Sequence, residues 1–249
     1  MTKIIVITGA TSGIGLETAK AFIREYGKEV QIISISRNVQ RIEQAKKELP
    51  GADFYSCDVS EFSQLEKTAE QIEKKYGKID VLVNNAGSEN RGGVESVTAA
   101  DWDSAIRNNL SSVFYTTKLF VPLLKKSDFP SIINISSVSG KMGGSSIAYG
   151  VAKAGIDLFT RRTARELAKY KIRVNTVSPG IVTTGFQMRD GAMSAEQYKD
   201  FLKNRESGFP LGLGEAADVA GVVVFLAGEK ARWITGADFV VDGGRLVNA

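Results

Sequence analysis

Tyr149 and Lys153 stand four residues apart in Ala148-Tyr149-Gly150-Val151-Ala152-Lys153. On a helix, positions i and i+4 share a face, so this phenol and ammonium would point the same way. A free phenol titrates near ~10, and an ammonium within roughly 4–6 Å lowers that value by roughly 1–3 units. Such a phenol can protonate an oxygen that is becoming an alkoxide, and can take the proton back when an alcohol is oxidised. A Tyr and a Lys at this spacing also occur by chance in many helices, so the pair needs company to mean anything. The chain has 249 residues, one cysteine (Cys57) and no histidine. Ser-His and Cys-His nucleophiles and His-ligated metal sites are therefore excluded, and no metal is expected. With no imidazole to compete, a tuned phenol is a credible acid. The apolar run Ile132–Ile135 delivers Ser136 and Ser137, and a hydroxyl there can donate to a substrate oxygen as an oxyanion-hole group does.

A second constellation lies at the other end of the chain. The run Ile4–Thr8 leads into Gly9-Ala10-Thr11-Ser12-Gly13-Ile14-Gly15, and a helical pattern follows. Glycines let a backbone turn sharply and approach a pyrophosphate, while the helix N-terminus offers unpaired N–H groups and a positive dipole end. A tight strand-to-helix turn alone would also use glycine; the position after a first strand favours the cofactor reading. The next apolar run ends in Ser34-Ile35-Ser36-Arg37-Asn38. An NAD site usually carries an acid there for the ribose hydroxyls. Here Ser36 is neutral, and Arg37 can donate charge-assisted hydrogen bonds to a 2′-phosphate. Arg37 as a solvated residue opening a helix is the plain alternative, and the missing acid favours NADP(H) over NAD(H). Asp58, in Cys57-Asp58-Val59-Ser60, can accept from an adenine amino group or cap the next helix. Asn84-Asn85-Ala86-Gly87 can support a ribose or brace the neighbouring turn.

The elements that must position these groups are legible as alternation. Ile4–Ile7, Val30–Ile35, Val81–Val83, Ile132–Ile135 and Val174–Val177 are short, β-branched and apolar on both faces, as buried parallel strands are. Helical patterns cover 14–26, 38–48, 61–76, 101–125 and 148–169. This predicts an α/β fold: a single-domain, Rossmann-like, doubly wound parallel sheet with helices on both faces, spanning residues 1–249. Residues 185–213 break the rhythm with several glycines around a helix-like Ser194–Arg205. They read as a substrate lid beyond the carboxyl ends of the strands, or else as a loose connection. The net charge is +4, but 32 basic residues are interspersed with 28 acidic ones. No basic stripe forms, so a nucleic-acid partner is not expected. The N-terminal apolar run is too short for a signal or a membrane span, which predicts no membrane partner and a cytoplasmic location.

Taken together, these residues resemble the short-chain dehydrogenase/reductase family from end to end. The motifs are Thr8-Gly9 through Gly15, Asp58-Val59, Asn84-Asn85-Ala86-Gly87, Asn109-Leu110, Ser137, Tyr149 with Lys153, Ser178-Pro179-Gly180, Ile234-Thr235-Gly236 and Asp242-Gly243-Gly244. The resemblance implies Tyr149 as acid/base and Ser137 as the group that orients the carbonyl. It implies that Lys153 binds the nicotinamide ribose and lowers the tyrosine pKa, and that Asn109 holds a water for proton relay. Asp58 becomes the adenine contact, and Ile181 and Thr184 the carboxamide and phosphate contacts. The implied function is NADPH-dependent, reversible reduction of a carbonyl to an alcohol, with 3-oxoacyl thioesters among the candidate substrates. An NAD-dependent alcohol or polyol dehydrogenase is the alternative within the family. A catalytically inactive dinucleotide-binding sensor is the alternative of another class. A homotetramer built on helices 101–125 and 148–169 and on Ala237–Val241 is likewise implied. Lys125, Lys126, Lys169 and Lys171 suit either an acidic carrier-protein partner or helix C-termini. Two departures stand out. The interval from Ser137 to Tyr149 is one residue shorter than in many relatives, and Pro210–Glu215 lacks the arginine that often anchors the lid.

Overall fold

The structure, a computed structural model, describes residues 2–89, 91–144, 146–191 and 193–248. Its strands are β1 (Lys3–Thr8), β2 (Val30–Ser36), β3 (Asp53–Ser56), β4 (Val81–Asn84), β5 (Ser131–Ile135), β6 (Arg173–Pro179) and β7 (Asp238–Val241). They form one sheet in the order β3-β2-β1-β4-β5-β6-β7, with every neighbouring pair parallel. Parallel neighbours need crossovers, supplied by α1 (Gly13–Tyr26), α2 (Val39–Glu48), α3 (Phe62–Tyr76), α4 (Ala99–Ile106), α5 (Ser112–Leu124), α6 (Ile147–Leu167) and α8 (Ala216–Ala227). A further helix, α7 (Ala195–Glu206), lies inside the segment that broke the sequence rhythm.

Alternate residues of β1 serve different cores. Ile4 and Val6 pack with Leu65 and Ile72 of α3, Phe120 of α5 and Leu167 of α6. Ile5 and Ile7 pack on the other face, with Phe22 of α1 and Val219 and Val223 of α8. A sheet covered on both sides explains why its strands read as unbroken apolar runs. The strand order reverses between β1 and β4, and in such sheets ligands bind outside the carboxyl ends of the strands at that point.

Two elements differ from the sequence expectation. The helix expected over 101–125 is interrupted by a π-helical turn, Arg107–Ser111, between α4 and α5. Turns of this kind add a residue to the helix and gather at functional sites. In addition, α8 is apolar nearly throughout, so it presents no helical stripe in the sequence. Its C-terminal carbonyls are closed by the buried guanidinium of Arg173, which donates to Leu226 O at 2.6 Å and Ala227 O at 3.3 Å, and also to Ala231 O of the following 3₁₀ turn at 3.2 Å. No helix among the described residues is long and apolar enough to cross a membrane.

Candidate active site

The turn between β1 and α1 is held from below by the end of β4. Thr8 Oγ1 accepts from the backbone N–H groups of Asn85 and Ala86, each at 3.0 Å. Asn85 Nδ2 donates to the carbonyls of Thr8 (2.9 Å) and Gly9 (3.2 Å). Asn85 thus braces the turn with its side chain while also lining the larger cleft. Gly9 and Gly13 have φ of +74° and +58°, the left-handed region that favours glycine. Gly15 is required for space: a Cβ there would lie 2.4 Å from Gly9 O and 2.5 Å from Asn85 Nδ2. The first turn of α1 carries no acidic residue, which leaves its positive end to an external anion.

Two clefts open along the carboxyl edge of the sheet. The smaller, about 330 Å³, is lined by Gly9, Thr11, Ser12, Ser36, Arg37, Asp58, Val59, Ala86 and Gly87. The larger, about 650 Å³, is lined by Ile14, Asn85, Gly87, Ser137, Tyr149, Lys153, Pro179, Gly180, Ile181 and Thr184. Gly13 and Gly15 shape the turn, and Asn109 stands behind the wall; none of the three lines a cleft. Gly87, Glu89, Phe186 and Gln187 border both clefts, so the two meet.

In the smaller cleft Asp58 does not cap α3; Glu61 holds the N-cap position. Its Oδ1 accepts from Ser60 N (3.0 Å) and Ser60 Oγ (2.7 Å), and its Oδ2 lies 3.3 Å from Arg37 Nη1. Burial alone would raise this carboxyl; the Ser60 hydrogen bonds and Arg37 outweigh it and hold the pKa below the ordinary value. Arg41, which sequence reading passed over, borders the same cleft. The Asn38 side chain accepts from Arg41 N at 2.9 Å and starts α2 beside it.

At the reaction centre the structure separates the two adjacent serines. Ser136 Oγ donates to Lys153 O at 3.0 Å and serves the helix backbone. Ser137 Oγ accepts from Ser139 N at 3.1 Å and lines the larger cleft together with Tyr149, whose phenol it pulls towards a lower pKa. The segment before Tyr149 packs closely against α6. A Cβ at Gly140 would meet Ala154 N at 2.6 Å, and one at Gly150 would meet Ser139 O at 2.9 Å. Beside this loop, Lys141 Nζ reaches Asp157 (2.6 Å), Asp238 (2.6 Å) and Ser178 Oγ (2.9 Å), tying it to α6, β6 and β7.

Family resemblance implies that Lys153 lowers the Tyr149 pKa; in the structure burial is the largest influence on the phenol and pushes it above the ordinary tyrosine value. Ser137 lowers it and the charge of Glu89 raises it further. Lys153 Nζ lies 5.4 Å from the Tyr149 ring centroid and donates instead to Ile135 O at 2.9 Å. The ammonium is itself desolvated: burial brings its pKa down to about 8, against an opposing pull from Asp157.

Asn109 sits in the π-helical turn and is fully buried. Its Oδ1 accepts from Ser88 N (3.2 Å), and its Nδ2 donates to Ser88 O (3.0 Å) and Ala105 O (3.0 Å). The side chain thus clamps the loop after β4, and Gly87 must be glycine because a Cβ would lie 2.6 Å from Asn109 Oδ1. From the expected lid segment, Phe186, Gln187, Met193, Phe201 and Arg205 line the larger cleft. Met142 and Ile147 line it as well. Tyr198 does not; its hydroxyl accepts from Gly185 N at 3.1 Å and stabilises the segment from within. The segment's return is held by Leu211 N donating to Gly243 O (3.0 Å) and Gly214 N to Ile181 O (3.1 Å), which take the place of an anchoring arginine. Lys125 lies 3.9 Å over the Tyr170 ring, and Lys126 pairs with Glu73 at 3.0 Å. These contacts give both lysines structural partners. Glu89, Gln187 and Arg205 were not legible beforehand: each is a lone polar residue in a loop or on an exposed helix, without a motif around it.

Comparison with known proteins agrees with this geometry. A family model described as enoyl-(acyl carrier protein) reductase matches residues 9–245. The chain is 36% identical to the 3-oxoacyl-acyl-carrier-protein reductase FabG of Thermotoga maritima, over 98% of each chain. It is 33% identical to the NADP-dependent (R)-specific alcohol dehydrogenase of Lentilactobacillus kefiri, covering 97% of this chain and 96% of that one. Among solved structures, the ligand-free aldohexose dehydrogenase of Thermoplasma acidophilum superposes with a TM-score of 0.88 at 30% identity, covering 100% of this chain and 95% of that one. The chain belongs to the short-chain dehydrogenase/reductase family of oxidoreductases.

Proposed function

We propose that the protein is an NADPH-dependent reductase that converts a carbonyl to an alcohol, reversibly. The observation that carries this reading is the convergence of Ser137, Tyr149 and Lys153 on the wall of one cleft, with Lys153 Nζ 5.4 Å from the Tyr149 ring and a second cleft leading on to the nucleotide turn. The glycine turn, the acid-free start of α1 and the two joined clefts suit an extended dinucleotide. When bound, NADPH supplies the hydride. Ser137 and Tyr149 then hold the substrate oxygen, and the Tyr149 O–H passes its proton to that oxygen as negative charge develops there. The high pKa of the phenol keeps it protonated at neutral pH, the form that carbonyl reduction requires. Lys153, when charged, stabilises the phenolate left behind. Arg37 and Arg41 border the smaller cleft and β2 ends without an acid, which supports NADP(H) over NAD(H). Residues 185–213 serve as the lid. A 3-oxoacyl thioester and a small ketone are both admitted by the size of the larger cleft.

The test is loss of NADPH absorbance with a panel of ketones and 3-oxoacyl thioesters. Tyr149→Phe is expected to lower kcat by about 10²–10⁴-fold while the Kd for NADPH stays near that of the wild type. Comparable turnover in the variant would overturn the assignment of the acid. A lower KM for NADH than for NADPH would overturn the cofactor preference.

A further inference from the structure

Among the described residues, six buried side-chain polar atoms have no hydrogen-bond partner; two of them belong to residues that border both clefts and a third to a residue of the smaller cleft. These three are Glu89 Oε2, Gln187 Oε1 and Ser88 Oγ. An acceptor left unpaired away from water is costly, and such atoms in a folded protein call for a partner. Ser88 borders the smaller cleft alone, whereas Glu89 and Gln187 border both. They come from different segments: Glu89 from the loop after β4, Gln187 from the 3₁₀ turn Phe186–Gly191. Their oxygens can only accept.

We propose that Glu89 and Gln187 are specificity-determining residues that accept hydrogen bonds from a substrate hydroxyl next to the reacting carbonyl. The substrate class would then be α-hydroxy ketones in reduction and vicinal diols in oxidation. The assignment rests on the carbonyl-reductase reading above and names its substrate class.

Position supports this. Glu89 and Gln187 line the same cleft as Ser137 and Tyr149, and the Glu89 charge is felt at the Tyr149 phenol. Charge decides which donor fits. Arg91 Nη2 lies 3.8 Å from Glu89 Oε2, within ion-pair range but too far for a hydrogen bond, and Arg205 also acts on the carboxylate. Two cations at the mouth disfavour an ammonium donor, and the carboxylate disfavours an anion. A neutral hydroxyl meets neither objection. A site built to accept from a hydroxyl discriminates strongly against an analogue that lacks it, because its buried acceptors are then left unpaired.

The experiment compares kcat/KM for 1-hydroxy-2-butanone and 1-methoxy-2-butanone, two ketones of similar polarity of which only the first can donate. The wild type is expected to favour the hydroxy ketone by about 10- to 100-fold, the range for one hydrogen bond to a charged acceptor. Glu89→Leu should collapse that ratio towards one, Glu89→Gln should leave an intermediate ratio, and Gln187→Leu should lower it as well. Fluorescence titration with NADPH runs in parallel and is expected to give the wild-type Kd for each variant. Equal kcat/KM for the two ketones in the wild type would overturn the proposal, whatever the variants do. A raised Kd for NADPH with the ratio unchanged would assign the acceptors to a cofactor hydroxyl and overturn it too. Turnover of neither ketone, nor of any carbonyl in the panel, would remove the reductase reading and the proposal with it.

Discussion

Burial acts in opposite directions on the two groups that meet at the reaction centre. It raises the Tyr149 phenol and lowers the Lys153 ammonium to about 8. Burial disfavours the charged form of each, so at neutral pH the phenol is held protonated and the lysine is the group closest to titrating. Reduction needs a protonated phenol, which the raised pKa secures through the ordinary tyrosine range, and a charged lysine, which is lost as pH rises through about 8. The expected profile of kcat/KM for reduction is therefore flat near neutrality, falling about tenfold per pH unit above that value. A guanidinium stays charged above pH ~12. Lys153→Arg, if it retains measurable turnover, should move the alkaline limb beyond pH ~10. A wild-type limb that begins only above pH ~10 would assign the titration to Tyr149 instead. At this scale the sequence carried the types and the spacing of the pair. It could not carry the sign of the phenol's shift, which depends on desolvation and on Glu89, a residue distant from Tyr149 in the chain.

The nucleotide turn shows how elements, not single residues, make a site. Thr8, Asn85 and Gly15 come from the ends of two strands and the start of a helix, and they fit only because β1 and β4 are neighbours. Gly15→Ala is expected to force this contact apart, since its Cβ would meet the Gly9 carbonyl as well as the Asn85 amide that braces it. Overpacking of this kind costs about 1–3 kcal/mol, and the displaced turn should raise the Kd for NADPH more than tenfold. Denaturant unfolding and fluorescence titration measure the two effects; a variant with wild-type Kd would show that the turn does not meet the cofactor. The strands were legible because both their faces are buried, so an apolar run and a glycine turn sufficed. The break between α4 and α5 was not legible, because a π-helical turn keeps helical residues throughout, and the clamp of Asn109 on Ser88 that accompanies it is a contact between segments distant in sequence. Helix α8 was missed for the opposite reason: a helix without a polar face shows no period. The serine choice was narrowed by motif, but only the hydrogen bond of Ser136 to Lys153 O, which commits that hydroxyl to the helix backbone, separates the two roles.

At the scale of the whole molecule, α5 and α6 expose Phe114 and Leu158, each about half accessible, and the Phe114 ring meets Phe159 edge-on at 6.3 Å. These are the helices through which family resemblance implies assembly into a homotetramer. Contiguous exposed apolar side chains of this size mark contact surfaces more often than solvated ones. If the face is shared between two copies related by a twofold axis, every substitution on it appears twice in the interface. A charge placed at Leu158 would then be buried on both copies together, a far larger penalty than the same charge on a free surface. Leu158→Glu combined with Phe114→Lys should therefore leave the fold intact by circular dichroism while lowering the mass in solution. Light scattering is expected to give four times 26.9 kDa for the wild type and a smaller assembly for the variant. A wild-type mass of a single chain would overturn the tetramer. An unchanged mass in the double variant would move the interface off this face, leaving β7 with its half-exposed Val240 as the surface to test next. Because the larger cleft is walled by α6 through Tyr149, Lys153 and Ala154, loss of assembly should also be read in KM. A rise in KM with kcat preserved would mean that packing of α6 against a second copy steadies the cleft without taking part in the proton transfer.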